Sequence, residues 1–166
     1  MKLWKSCRKR LKRWKVEPDE KQEPLEWKSL DVAVLDDLAD GVIYRGEGVQ
    51  GEKVTVHCTH EKLGNKVLVS FHLSLVGDDV PISHISGGFG NLKGDLTTAH
   101  LNCFVTEPAY RSKGYGTILL AVYLRYVMLL GSTEVISSKS RYDDRLVKLY
   151  QRFNFDVVNR SLYRKI

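Results

Sequence analysis

The sequence predicts a single α/β (α+β) domain, a mixed β-sheet with helices on its faces. Three observations point to it. The chain has 166 residues, 43% apolar and 10% aromatic, which suffices for one hydrophobic core and is too much for a disordered chain. Its first half holds runs rich in branched residues, separated by glycine turns, as antiparallel strands do. From Leu96 onward, strand-like runs alternate with helix-like ones, as crossover units do.

In chain order, residues 1–16 form a basic arm. They hold eight of the 26 Lys and Arg and no acid. The other 18 basic residues face 20 acidic ones, so a body of net charge −2 carries an arm that brings the total to +6. This excludes a wholly basic nucleic-acid module. Trp4, Cys7, Leu11 and Trp14 recur at helical spacing and give the arm an amphipathic face. That face suits docking on the body, an anionic membrane surface or nucleic acid alike. No run of about 18 apolar residues is present, and no h-region follows the basic start. Residues 17–29, polar and punctuated by Pro18 and Pro24, read as a linker, and 30–166 as the folded domain.

Within the domain, 30–40 reads as a short helix and Val42–Arg45, Lys53–Cys58 and Lys66–Leu75 as strands. Gly64-Asn65 turns the last two into a hairpin. Residues 77–95, with Gly87, Gly88, Gly90 and Gly94, read as a loop or lid; no GKS or GKT follows them, so they are not a P-loop. Leu96–Thr106 is a strand, Thr117–Leu130 a heavily buried helix stopped by Gly131, and Glu134–Ser137 a short strand. Asp143–Arg152 is a helix, Phe153–Val158 begins a strand, and Leu162–Ile166 is a last one.

Three distant cysteines, Cys7, Cys58 and Cys103, form no CxxC and point to a reducing compartment. His57, Cys58 and His60 lack a fourth ligand, so no metal site is expected.

The sharpest motif is Phe104-Val105-Thr106-Glu107-Pro108-Ala109-Tyr110-Arg111-Ser112-Lys113-Gly114-Tyr115-Gly116-Thr117. A strand ends, a turn offers consecutive backbone N–H groups, and a helix begins. Gly114 and Gly116 let a ligand come close, and Arg111 and Lys113 add positive charge. On physical grounds this is a cradle for a phosphate or diphosphate.

The segment resembles the acetyl-CoA-binding motif of the GCN5-related N-acetyltransferases, the GNAT family. A second stretch, Asp143-x-x-Leu146-x-x-Leu149-Tyr150-Gln151-Arg152-Phe153-Asn154-Phe155, is similar to the family's N-x-x-A-x-x-L-Y-x-x-x-G-F pattern. Asp143, Leu146, Asn154 and Ser112 depart from it, and Asn154 still tolerates a left-handed turn. The likeness covers about residues 96–158. It implies a GNAT-like, centrally splayed sheet with helices on both faces, and direct transfer of acetyl from acetyl-CoA to a primary amine in a ternary complex.

The resemblance also implies roles. Phe104, Val105 and Thr106 would pair with the pantetheine arm and offer an oxyanion donor. Arg111, Ser112, Lys113, Gly114, Tyr115, Gly116 and Thr117 would hold the diphosphate, with Asp143 beside them. Tyr150 would be the general acid towards the departing thiolate. His100 stands where protein-acetylating members often keep a glutamate base. Alternation would place it on one face with Asn102, Phe104 and Thr106; Glu107, His84 and His72 are weaker candidates. The acceptor is a small-molecule amine or a protein amine, and a homodimer is left open. The expected location is cytoplasmic, with the arm able to reach a membrane periphery. Two other readings stay open, a non-catalytic acyl-CoA-binding regulatory protein and a membrane- or nucleic-acid-associated module acting through its arm.

Overall fold

A computed structural model describes residues 26–36, 39–64, 66–91, 95–137, 144–158 and 161–166. The basic arm, Cys7, most of the linker, Asp37, Leu38, Asn65, Gly94 and Asp143 lie outside the described residues. Among the described residues, ten strands and helices and a second 3-10 turn, Pro108–Tyr110, follow a 3-10 turn at Trp27–Ser29. They are β1 (Gly41–Glu47), β2 (Lys53–Leu63), β3 (Lys66–Leu75), β4 (Ser83–Asn91), β5 (Asp95–Thr106), α1 (Tyr115–Leu129), β6 (Glu134–Ser137), α2 (Asp144–Arg152), β7 (Asp156–Val158) and β8 (Ser161–Lys165). One sheet takes the order β1-β2-β3-β4-β5-β6-β8-β7. Every neighbouring pair is antiparallel except β5–β6. This is the mixed sheet with flanking helices that the sequence predicts.

One face of the sheet holds the core. Val54, Val56 and Cys58 of β2, Val67, Val69, Phe71 and Leu73 of β3, and Ile85 and Phe89 of β4 are buried there. Phe71 meets Tyr123 and Tyr126 of α1 edge-on, with centroids 5.3 and 5.2 Å away. Helix α1 is apolar nearly all round and buried from Ile118 to Leu124, as a helix wedged between a sheet and other chain must be. Helix α2 lies on the same face, because Tyr150 packs against Phe104 and beside Tyr123. Both crossovers, β5–α1–β6 and β6–α2–β7, move the chain the same way across the sheet, and right-handedness puts both helices on one side. Among the described residues both helices lie on this one face. No described helix is long and apolar enough to cross a membrane.

Local readings differ in four places. Residues 30–35 are extended rather than helical, because the Ala33 N–H is taken by the Ile43 carbonyl of β1. The glycine-rich stretch expected as a loop contains β4, a central strand. Its glycines serve close approach: a Cβ on Gly87 would strike the His100 carbonyl and come within 3.1 Å of the Tyr123 hydroxyl. Phe153 and Asn154 form a turn before β7, with Asn154 at φ 57°. Trp27, assigned to the linker, is 5% exposed and lies under the Arg164 guanidinium at 4.7 Å, a cation–π contact that docks this end of the segment on the domain.

Candidate active site

Strand β5 is the spine of the site. Thr98–Leu101 pair with β6 in parallel, and the pairing ends at Leu101–Ser137. Residues 102–106 continue along β4 with no described partner on the β6 side. Among the described residues the parallel pairing ends at this point, where the expected splay, or fork, of the sheet begins. A bulge accompanies the fork: Ser86 faces Cys103 while Gly87 faces Leu101, which leaves Asn102 extra.

The bulge corrects the expected alternation. Phe104 and Thr106 face α1, since a Cβ on Gly116 would lie 3.2 Å from Phe104 Cζ and 3.4 Å from Thr106 Oγ1. Leu101 shares that face through Gly87, which sits under Tyr123. His100 is thus on the opposite face from Phe104 and Thr106, because the extra residue shifts the phase by one. It also lies below the fork, beside Ile136 of β6. Tyr123 donates to the His100 carbonyl at 3.3 Å and holds the strand at this point.

Beyond the fork the chain makes the expected turn. Glu107 N–H bonds Ile82 O, Pro108–Tyr110 is a 3-10 turn, and Ser112 (φ 61°) and Gly114 (φ 85°) are left-handed. The first bond of α1 runs from Ile118 N–H to Gly114 O, so Tyr115, Gly116 and Thr117 keep their N–H groups free of helical partners. No side chain caps this end and no acid lies in the first turn. The cradle keeps the donors an anion needs. Arg111 Nε donates to Thr106 O at 2.8 Å and ties the turn to the strand, while Lys113 Nζ lies 5.4 Å over the Tyr110 ring. Thr106 Oγ1 and Ser83 Oγ are 2.8 Å apart. Val105 is exposed, as a strand edge at an open fork would be.

Sequence reasoning misses the outer wall. The turn between β1 and β2 packs on the cradle. A Cβ on Gly114 would strike Val49, and the Glu52 carboxylate takes the Tyr115 hydroxyl. Burial and then this carboxylate push the Tyr115 hydroxyl up to about 12. Glu52 is held below the usual carboxylate range by its own backbone N–H and by Tyr115. More than 60 residues separate Glu52 from Gly114 in sequence, and no local pattern links them.

Tyr150 is fully buried on α2, between Phe104 (6.2 Å) and Phe155 (5.0 Å), at the mouth of the fork on the α1 side. Its ring shares the α1 face of the sheet with Phe104. Cys58 is fully buried and burial pushes its thiol up to about 12, so it is inert. Cys103 is half-buried on the face that carries no described helix. No group of three or more metal-ligating side chains occurs among the described residues.

Residues 52–155 match the profile described as the acetyltransferase (GNAT) family. The chain belongs to the acetyltransferase (GNAT) family. Solved structures share the fold. The PaiA N-acetyltransferase of Thermoplasma acidophilum, solved with coenzyme A, is 17% identical with a TM-score of 0.52, over 60% of this chain and 61% of that one. The NatC complex bound to Gag peptide and CoA is 12% identical, TM-score 0.50, over 58% and 70%. The Elp3 of Methanocaldococcus infernus is 10% identical, TM-score 0.56, over 68% and 30%. The chain thus spans about three fifths of the PaiA protein's length. No curated protein matches the sequence. As a GNAT-family acetyltransferase fold, the chain has its forked strand pair and its glycine turn within the matched residues.

Proposed function

We propose that this protein is an acetyl-CoA-dependent N-acetyltransferase that acts on a primary amine by direct transfer. One observation carries the reading: the described parallel pairing of β5 and β6 ends at Leu101–Ser137, and β5 continues through a turn with left-handed Ser112 and Gly114 into an uncapped helix N-terminus. The uncapped helix N-terminus with its unpaired N–H groups, beside a left-handed turn, fits a diphosphate. Acetyl-CoA supplies the acetyl group as a thioester. The backbone N–H groups of 112–117 hold its diphosphate, and the free edge of Phe104, Val105 and Thr106 bonds its pantetheine arm. A backbone N–H at Phe104 or Val105 stabilises the developing oxyanion. Holding both substrates at the fork supplies much of the rate. The Tyr150 hydroxyl protonates the departing thiolate.

The test is calorimetric titration of acetyl-CoA into the full chain, followed by thiol release with a panel of amines. Binding abolished by Gly114→Asp is expected. No binding by the wild type, or binding indifferent to that change, would falsify the reading.

A further inference from the structure

The face of the sheet that carries no described helix is not featureless. Register aligns its side chains into rows that cross the strands. Thr59, Ser70, Ser86 and Cys103 form one row of small side chains across β2, β3, β4 and β5. A row of imidazoles, His57, His72 and His84, runs along one side of it and ends at Val105. Glu61, Leu68, Gly88 and His100 run along the other. Small residues between larger ones make a trough. A concavity of about 150 Å³ occupies it, bounded by Thr59, Glu61, Leu68, Ser70, Ser86 and Asn102. From β2 to β5 the trough crosses three inter-strand steps, roughly 14 Å. Its inner end is Asn102, the bulged residue at the fork.

We propose that this trough is the acceptor site, that it takes a primary amine at the end of an unbranched alkyl arm, and that His84 takes the amine's proton. The inference rests on the acetyl-transfer reading. Three features support it. The trough leads to the fork from the face opposite Tyr150, so base and acid flank the thioester from two sides. It is narrow and floored by hydroxyls, which suits an extended arm and not a fused or multi-ring body. At its β2 end stands the exposed Glu61, whose carboxylate complements a cationic approach. With no described helix over this face, the arm can be carried by a bulky body such as a peptide.

His84 is better placed than His100. It pairs across the ladder with Val105, beyond the fork, whereas His100 pairs beside β6 below it. Its Nε2 is buried and has no hydrogen-bond partner among the described residues. The groups around it are the His72 ring, stacked at 4.6 Å and 3°, then His57 on β2 and the apolar Val105 on β5. Burial keeps His84 below the usual imidazole range, and burial together with His84 and His57 does the same for His72. His84 is therefore neutral near pH 7 and able to accept a proton. In the step, the amine nitrogen bonds the acetyl carbon as the C–S bond breaks. The ammonium first loses one proton to solvent; on attack one of the two remaining N–H protons goes to His84 Nε2 while the other stays on the amide, and the thiolate takes the Tyr150 proton. Solvent then restores both side chains.

The experiment uses the full chain, acetyl-CoA, and three acceptors: an N-acetylated lysine hexapeptide, 1,4-diaminobutane and kanamycin. Transfer to the peptide or the diamine, at least tenfold above kanamycin, is expected; the ratio of the first two separates protein from free-amine acceptors. Ser70→Phe should raise the acceptor KM at least tenfold while the acetyl-CoA Kd stays within twofold. His84→Gln should lower kcat about a hundredfold and remove the acid limb of the kcat/KM profile. If Ser70→Phe fails to fold, Glu61→Lys at the exposed mouth should still raise the acceptor KM several-fold. Kanamycin preferred, no transfer to either alkylamine while acetyl-CoA binds, an unchanged acceptor KM in the trough variants, or His100→Gln reproducing the His84 effect would each overturn the inference. Absence of acetyl-CoA binding by the wild type would instead overturn the parent reading.

Discussion

Gly114 and Gly116 do different jobs within three residues. Gly114 needs its left-handed φ of 85° and has Val49 against it, so Gly114→Ala should cost about 1–2 kcal/mol from backbone strain alone, read by urea unfolding. Gly116 is helical, and its constraint is contact with Phe104 and Thr106. A branched side chain there must push Phe104 from the strand edge that the pantetheine arm would use. Gly116→Val should therefore raise the acetyl-CoA KM at least tenfold with little loss of Tm; an unchanged KM would show that the edge is not used. Tyr150→Phe keeps the ring among Phe104 and Phe155 and removes the proton. The expected result is a kcat about 10²-fold lower with acetyl-CoA affinity retained, measured by thiol release and calorimetry. Residues such as these were legible in the sequence because a turn, a helix start and a tyrosine are local patterns. His84 was visible only as one histidine among several, since its merit comes from pairing with Val105 across the sheet.

The elements show where local reading works. Helix α1 and strand β3 were legible because each buries one kind of surface along its whole length and is bounded by turns. Strand β4 was not, because glycine lowers strand propensity and only the neighbouring strand explains it. Gly87 sits where the β5 bulge brings the His100 carbonyl close, and Tyr123 fills the space above. Gly87→Ala would collide with backbone, which cannot rotate away. The expected outcome is a large loss of stability, or a shifted bulge that abolishes transfer, seen by thermal unfolding and by activity of the surviving fold. The bulge also explains why period-two alternation failed between His100 and Phe104: one extra residue inverts every face assignment past it. Leu120 of α1 is fully buried, and Leu120→Ala should cost about 2–5 kcal/mol, the usual range for a core cavity.

At the scale of the molecule, titration offers a check on the sheet. His60, His72 and His84 all lie below the usual imidazole range, chiefly through burial. His60 is held against the Tyr126 hydroxyl at 2.8 Å, with Asp40 3.5 Å from its other nitrogen. The unfolded chain takes up protons as pH falls through about 6.5, while the folded chain resists them. Stability should therefore decline as pH falls from about 7 to 5.5 and be regained on return. Tm by scanning calorimetry checks this, and His72→Gln should flatten the slope; a Tm that rises on acidification would contradict it. Family and strand-helix order in the second half were legible from two motifs. That both described helices lie on one sheet face was not, since helix-forming patterns reveal which elements exist and not which side of a sheet they cover.

The contact of the β1–β2 turn with the cradle has a consequence for communication. Glu52 and Val49 belong to a hairpin near one edge of the sheet, yet they touch the first residues of α1. Free energy gained when a ligand orders those residues is shared with the hairpin by reciprocity. Amide hydrogen exchange along Gly41–Lys53 should slow when acetyl-CoA binds, and Glu52→Ala should decouple the two. The hairpin would then serve as a gauge of occupancy, reporting a filled site along its whole length from its contact with the cradle.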